Sequence, residues 1–476
     1  MSKRYATLFL FVLVVFLLFA KCITGVKASE LKQQKLENNY NIIFIAINVL
    51  RPDHLGCYGY HRNTSPAIDK LAEESFVFKN AFAQAGYTLP NMMSIITSLY
   101  PKSHGVLEES KDKLSSSVYT MAEVIKNYEY KTAWFSVLKE PHLDIDIGFG
   151  RGYDYKGELS ISFEGKEKLL SWIMENKDNQ FFLALNTRHT HTPYFPLPDY
   201  INAFKSGKKG TIFDNREDYH KAVYYDILQE INTPGTVLNN IYDEIAIAMI
   251  NDLKKITVYN EQNRKNMWLT KIQKIADLTP PQKLYRLGQI GVETYNSTID
   301  LSNKENLEYL ISLYDACILG VDQELIRPII STLKELNIYD NTMIVITGDH
   351  GESLGEHGIL GHGHDYFGQV IHVPLIIKLP NSETNKEVMG LVQSIDLLPT
   401  IFDMLGVKIP SYVQGKSLLP MIQDVTTNTV NEFIYGQNRT LAYLRSTRWK
   451  LIVDRSDLNK ESSNKDKLFH IRDDPN

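Results

Sequence analysis

The chain has 476 residues, 43% hydrophobic and 22% charged, with 27 Gly, 18 Pro and 3 Cys. That apolar content offsets chain entropy and excludes a disordered chain, and the length allows two or three domains or one large one. Three Cys exclude a disulfide scaffold, and a net charge of −5 excludes nucleic-acid binding through a general basic field.

Lys3 and Arg4 precede an apolar run from Tyr5 to Ala20, followed by Val26-Lys27-Ala28 at positions a signal peptidase would read. Residues 1–28 are expected to be a secretory signal peptide or, if uncleaved, an N-terminal anchor; the run is short for a membrane span of about 20 residues. The protein is then exported, periplasmic or extracellular, and meets a membrane only through that segment. Cys57 and Cys317 would remain in the mature chain. They could pair in an oxidising compartment, and two buried free thiols is the simpler expectation.

Asn41 to Ile47 (NIIFIAI) is a continuous apolar, β-branched run, the pattern of a strand buried on both faces of a parallel sheet. Ser65-Pro66 opens a helix with Ile68, Leu71 and Ala72 on one face. Thr132 to Ser136 and Phe181 to Leu185 are further strands. Ser302 and Glu305 have capping-box spacing and start a long helical stretch to Leu336. Thr342 to Thr347 (TMIVIT) and Pro374 to Lys378 are buried strands, and SIDLLPTIFDMLG after them is a helix. Short strands around Phe433 to Tyr435, Leu441 to Arg445 and Trp449 to Val453 suggest a small antiparallel sheet. The expected fold is α/β: a mostly parallel central sheet flanked by helices over residues 40–405, with a helical insertion at 200–300. A small C-terminal α+β subdomain follows at 406–476.

Ligands of open α/β sheets bind beyond the carboxyl ends of the strands. Asn48 follows the first strand, Asp349 and His350 follow TMIVIT, and His189, His191 and Tyr194 follow FFLAL. Thr88 lies in GYTLPN, where Pro90 marks a first helical turn and free N–H groups favour an anion. The stretch DHGESLGEHGILGHGHD, from Asp349 to Asp365, interleaves acids and histidines with glycines, as a loop closing around a bound ion would. A hydroxyl, an Asp–His pair and convergent histidines point to metal-assisted attack on an anionic ester. Taken singly, each has a plainer reading: Thr88 as a helix cap, Asp349 as a turn residue.

The segments from Asn48 to Val106 and from Tyr314 to Ile377, with NVLRPDHLGCYGYH, NTMIVITGDHGESLGEHG and HVPLII, closely resemble the sulfatase family of the alkaline phosphatase superfamily. SIDLLPTIFDMLG and the terminal LFHIRDDP match it as well, so that the resemblance spans about residues 40–195 and 305–476. It implies an alkaline phosphatase-like sandwich and a bound divalent cation, Ca2+ first, with Mn2+ or Zn2+ as alternatives. It places Asn48, Asp349 and His350 at the metal positions and Thr88 at the nucleophile. It also places His191 and His362 where side chains reach the substrate anion. The departures are Thr88 in place of the Cys or Ser that matures to formylglycine, Met92 in place of the motif arginine, and Asn48-Val49 where many members have two acids. The expectation is a metal-dependent hydrolase of sulfate, phosphate or phosphonate esters on a small molecule or glycan, with Thr88 attacking. The alternative is an exported anion-binding pseudoenzyme of the same fold. The sequence leaves substrate and oligomeric state open.

Overall fold

The computed structural model of the chain describes residues 38–107, 112–136, 147–160, 162–206, 296, 299–363, 365–423, 429–454 and 466–473. Residues 1–28 and nearly all of the 200–300 insertion lie outside the described residues.

In chain order the principal elements are β1 (Asn41–Ile47), α1 (Pro66–Ala72), β2 (Phe76–Phe82), α2 (Thr88–Thr97), α3 (Met121–Lys126), β3 (Lys131–Ser136), β4 (Tyr155–Glu158), α4 (Lys166–Glu175) and β5 (Phe181–Thr187). Then come α5 (Lys304–Val321), α6 (Arg327–Glu335), β6 (Thr342–Gly348), the two-residue strands β7 (Ser353–Leu354) and β8 (Leu360–Gly361), β9 (His372–Lys378), β10 (Lys386–Gln393) and α7 (Leu397–Leu405). A four-stranded antiparallel sheet of β11 (Ile434–Gln437), β12 (Leu441–Arg445), β13 (Trp449–Asp454) and β14 (Lys467–His470) closes the chain.

The main sheet has eight strands in the order β10-β2-β9-β6-β1-β5-β3-β4, with β1 near its middle. Every pairing is parallel except those of β9, which runs against both β6 and β2. The reason is local. The segment from Asp349 to Ile371 leaves β6 at its carboxyl end and re-enters the sheet from that same end, so its strand must run backwards. The alternation of β1 divides the core. Ile43, Ile45 and Ile47 face one layer, which includes Leu71 of α1, Trp172 of α4, Leu313 of α5 and Ile329 of α6. Ile42, Phe44 and Ala46 face the other, with Met93 of α2, Ile125 of α3 and Phe402 of α7. Each large apolar side chain so buried contributes about 1.5–3 kcal/mol. The C-terminal sheet docks through a smaller cluster in which Tyr443, Ile452 and Phe469 meet Phe82, Tyr366 and Phe367.

The sandwich, the mostly parallel sheet and the small antiparallel sheet agree with the sequence reading. Three local expectations are corrected. The helix start at Ser302 moves one residue: Asn303 is the cap, its side chain accepting the N–H groups of Glu305 and Asn306. The stretch to Leu336 is not one α-helix but is broken by a π segment, Asp322–Ile326. That π turn belongs with Asp322, whose buried carboxylate accepts the N–H groups of Ala67 and Ile68 at 2.8–3.0 Å. It caps α1 from across the fold, while Ser65 makes no side-chain cap bond. Thr88 is the first residue of α2 rather than the residue before it; Tyr87 is the cap. Cys57 and Cys317 are free thiols, the second fully buried.

Candidate active site

Register brings the site together. Ile47 of β1 pairs with Gly348 of β6 on one side and Thr187 of β5 on the other, so Asn48, Asp349 and Arg188 emerge side by side at the carboxyl edge. The backbone of Asn48 is fixed by its N–H to the Thr187 carbonyl and by the Thr190 hydroxyl, which donates to the Asn48 carbonyl. Next to it Val49 is buried with φ +52°, a strained conformation for a β-branched residue. Its N–H is thereby aimed at Asp349 Oδ1, 2.9 Å away. The Tyr314 hydroxyl donates to the Val49 carbonyl at 2.8 Å and accepts from the Arg51 N–H at 3.0 Å, pinning the turn from behind.

Asp349 is completely buried. Oδ1 accepts the N–H groups of Val49 and His350, and Oδ2 accepts Asn48 Nδ2 at 2.5 Å. The same Nδ2 donates to Thr88 Oγ1 at 2.8 Å. On its other side Thr88 Oγ1 lies 3.3 Å from His350 Nε2. The His350 Nδ1–H donates to the Gly351 carbonyl at 2.8 Å, which leaves Nε2 as the lone-pair nitrogen facing the Thr88 hydroxyl. α2 is held against this cluster by Asn91. Its Nδ2 donates to the Asp349 carbonyl, and its Oδ1 accepts the Gln84 N–H at 2.7 Å.

His191 and His362 complete the group. The His362 ring sits 4.4 Å from that of His350 and 5.0 Å from that of His191, centroid to centroid. All three imidazoles have Nδ1 engaged: His350 with Gly351 O, His191 with Thr192 O, and His362 with Glu352 Oε1 at 2.8 Å. Burial pushes the His191 pKa well below the usual histidine value, and Arg188 and the neighbouring imidazoles push the same way. Burial also lowers that of His350, against the opposing pull of Asp349. Both are therefore neutral at pH 7, and Arg188, close enough for His191 to feel its charge, is a standing cation beside them. Burial pushes Glu352 up to about 8, despite hydrogen bonds from Tyr194 and Thr192 and the charge of Arg51.

Thus Asn48, Thr88, Asp349, His350, His191 and His362 all meet at one edge of the sheet. The sequence reading missed Asn91, Glu352, Tyr314 and Arg188. Only Glu352 carried a signal, as one of the acids in the Asp349–Asp365 stretch, and nothing in the sequence separated it from Glu356 or Asp365. As ligands for a hard divalent ion the assembled groups are a poor match. Ca2+ takes six to eight oxygens. Here one carboxylate faces Thr88, Asn48 turns its nitrogen toward that carboxylate, and among the described residues no group of three or more His, Cys, Asp or Glu could hold a metal.

A threonine hydroxyl at a helix N-terminus, an Asp–His pair and a row of histidines at the carboxyl edge of such a sheet fit an ester hydrolase of alkaline phosphatase-like fold. The comparisons agree. The Sulfatase family profile matches residues 40–407, and that of the C-terminal part of N-sulphoglucosamine sulphohydrolase matches 355–475. The chain belongs to the sulfatase family, the sulfuric ester hydrolases. An N-acetylglucosamine-6-O-sulfatase of Bacteroides thetaiotaomicron is 24% identical over 81% of this chain and 71% of its own length. Human iduronate 2-sulfatase is 23% identical over 80% and 72%. A solved complex with the substrate D-glucosamine-2-N,6-O-disulfate superposes with a TM-score of 0.63 at 20% identity, covering 92% of both chains. The phosphonate monoester hydrolase of Agrobacterium radiobacter gives 0.63 at 18% identity, covering 92% of this chain and 90% of that one.

Proposed function

We propose that the chain hydrolyses a monoanionic sulfate or phosphate ester, carried on a glycan or small molecule, with Thr88 as nucleophile. One observation carries this reading: the Thr88 hydroxyl lies between an N–H donor and a neutral imidazole nitrogen at the start of α2. The Thr88 proton passes to His350 Nε2, and Oγ1 bonds to sulfur or phosphorus as the ester oxygen leaves. The Asn48 N–H supports the charge that builds on Oγ1. The leaving oxygen takes up the proton that His350 accepted, relayed through the adjacent His362 ring, and water then cleaves the Thr88 ester and regenerates the hydroxyl. No step is routed through an ion.

Charge selects the substrate. The site holds the buried carboxyl group of Asp349 beside Thr88, and Arg188 near His191 supplies one positive charge for a substrate anion. A dianionic phosphate monoester brings one more negative charge than a sulfate monoester or phosphate diester. At roughly 5 Å and an effective dielectric constant near 20 that extra charge costs about 3 kcal/mol. Sulfate monoesters and phosphate diesters are therefore favoured. The sulfatase names of the relatives, and the sulfated glucosamine in one structural neighbour, support a glycan sulfate. The basic-then-apolar start of the chain supports an exported protein; among the described residues no helix is long and apolar enough to cross a membrane.

The test is turnover of aryl sulfate, aryl phosphodiester and aryl phosphate monoester by wild type, Thr88→Ser and Thr88→Val. Thr88→Ser should retain turnover and Thr88→Val should lose it, with the phosphate monoester the slowest substrate. Equal rates in wild type and Thr88→Val would remove Thr88 from the reaction.

A further inference from the structure

Between Thr88 and Asp349 lies the side-chain nitrogen of Asn48. One NH2 group spans both oxygens, 2.8 Å to Thr88 Oγ1 and 2.5 Å to Asp349 Oδ2. This is the orientation the two neighbouring oxygens favour. Turned over, its oxygen would meet the Asp349 oxygen with no hydrogen between them, whereas an N–H to a carboxylate is among the stronger hydrogen bonds. The cost of this orientation is visible: Asn48 Oδ1 is buried with no hydrogen-bond partner among the described residues. The other Asp349 oxygen is already taken by two backbone N–H groups at 2.8 and 2.9 Å, one of them supplied by the strained Val49. The carboxylate is satisfied by three N–H donors from this chain alone, and the residue beside Asn48 is the aliphatic Val49, which adds no charge.

We propose that the Asn48 carboxamide takes the place of the divalent ion in this member of the family: it tethers Thr88 to Asp349, and the site is complete without a tightly held metal. The inference rests on Thr88 lying in this cluster, as the proposed function does, but not on turnover. It follows that the cation site is one substitution away. Asn48→Asp replaces the bridging N–H donor with a second carboxylate 2.5–3 Å from the first, two like charges in a buried position that an ion would relieve.

The test uses the full chain, with Ca2+, Mn2+ and Zn2+ each titrated by calorimetry, metal content measured after purification without chelator, and melting followed with and without EDTA. Wild type should carry no stoichiometric ion, bind none of the three with a Kd below about 1 mM, and melt at the same temperature in EDTA. Asn48→Asp should melt lower than wild type in EDTA, regain stability in Ca2+, and bind it on the order of 100-fold more tightly than wild type. In nitrogen-15-labelled wild type, the Asn48 side-chain amide protons should be protected from solvent exchange and insensitive to added Ca2+.

A stoichiometric ion in wild type that is lost in Asp349→Asn, or a melting temperature lowered by EDTA, overturns the proposal. So does an Asn48→Asp variant that folds and gains no affinity, since the position would then not be the ion's. If Asn48→Asp does not fold, the wild-type metal content and EDTA response still decide. Absence of turnover in wild type would defeat the hydrolase reading and leave these binding results standing.

Discussion

Asn91 offers the sharpest test of how α2 is held in the site. It is fully buried, and its carboxamide serves two backbone groups, the Asp349 carbonyl through Nδ2 and the Gln84 N–H through Oδ1. Asn91→Ala strands both groups, at about 1–3 kcal/mol each. Asn91→Asp keeps the shape and the bond from Gln84, but sets a carboxylate oxygen against the Asp349 carbonyl with no hydrogen between them. That carboxyl is neutral only if protonated, so its folded pKa rises. Each unit of rise costs about 1.4 kcal/mol at neutral pH, so a rise of three units costs about 4 kcal/mol at pH 7.5. The sign follows from the raised folded value: the deficit is absent below the unfolded carboxyl pKa of about 4 and grows as pH climbs toward the folded one. Urea denaturation of the three proteins at pH 5 and 7.5 reads this directly. The Asp variant should lose most of its deficit at pH 5, whereas the Ala variant should keep the same deficit at both. An Asp variant as stable as wild type at pH 7.5, or a deficit that does not change with pH, would mean that Asn91 does not donate to Asp349.

Three further outcomes are expected. Burial pushes the pKa of His104 down to about 3, its Nε2 lying 3.1 Å from Ser94 Oγ and 3.2 Å from the Pro90 carbonyl. A lowered folded pKa gives stability that is present above the unfolded value of about 6.5 and lost on acidification, so His104→Gln should gain about 2 kcal/mol relative to wild type between pH 6.5 and 5 in urea titrations. No relative gain would mean that the ring is solvated. Gly363 has φ +87°, and a Cβ there would lie 2.0 Å from the Tyr87 ring. Gly363→Ala should displace Tyr87, and with it the neighbouring Thr88, lowering turnover more than it lowers the melting temperature. Unchanged activity would show that the Tyr87 side is free to move. Asp315 is buried among His54, Tyr60 and Arg62 at 2.7–2.8 Å. Asp315→Ala leaves Arg62 without this partner and should cost about 3–5 kcal/mol; a loss below about 1 kcal/mol in equilibrium unfolding would refute the network's weight.

Local chemistry settled much of this in one dimension. NIIFIAI and TMIVIT hold more buried apolar surface than any exposed arrangement allows, so two central strands, and polar residues gathered at their carboxyl ends, could be recognised before any coordinates. Asp349, His350 and His191 stand out by following buried strands and Thr88 by opening a helix, while the roles of Thr88, His191 and His362 come from the resemblance to sulfatases. What those groups do to one another was not encoded in any single stretch. The pairing of Ile47 with Gly348 sets Asn48 beside Asp349 across 301 positions, and only that contact turns the Asn48 nitrogen into a bridge to Thr88. The same holds for Asp322 capping α1 from 254 and 255 residues away. β9 runs backwards because its loop returns on the side it left. Glu352 differs from Glu356 and Asp365 by being fully buried against His362. Periodicity and residue type act over a few residues and so fix elements and candidate groups. Register, burial and the direction of a hydrogen bond depend on partners hundreds of residues apart, and these were decided only when the sheet assembled.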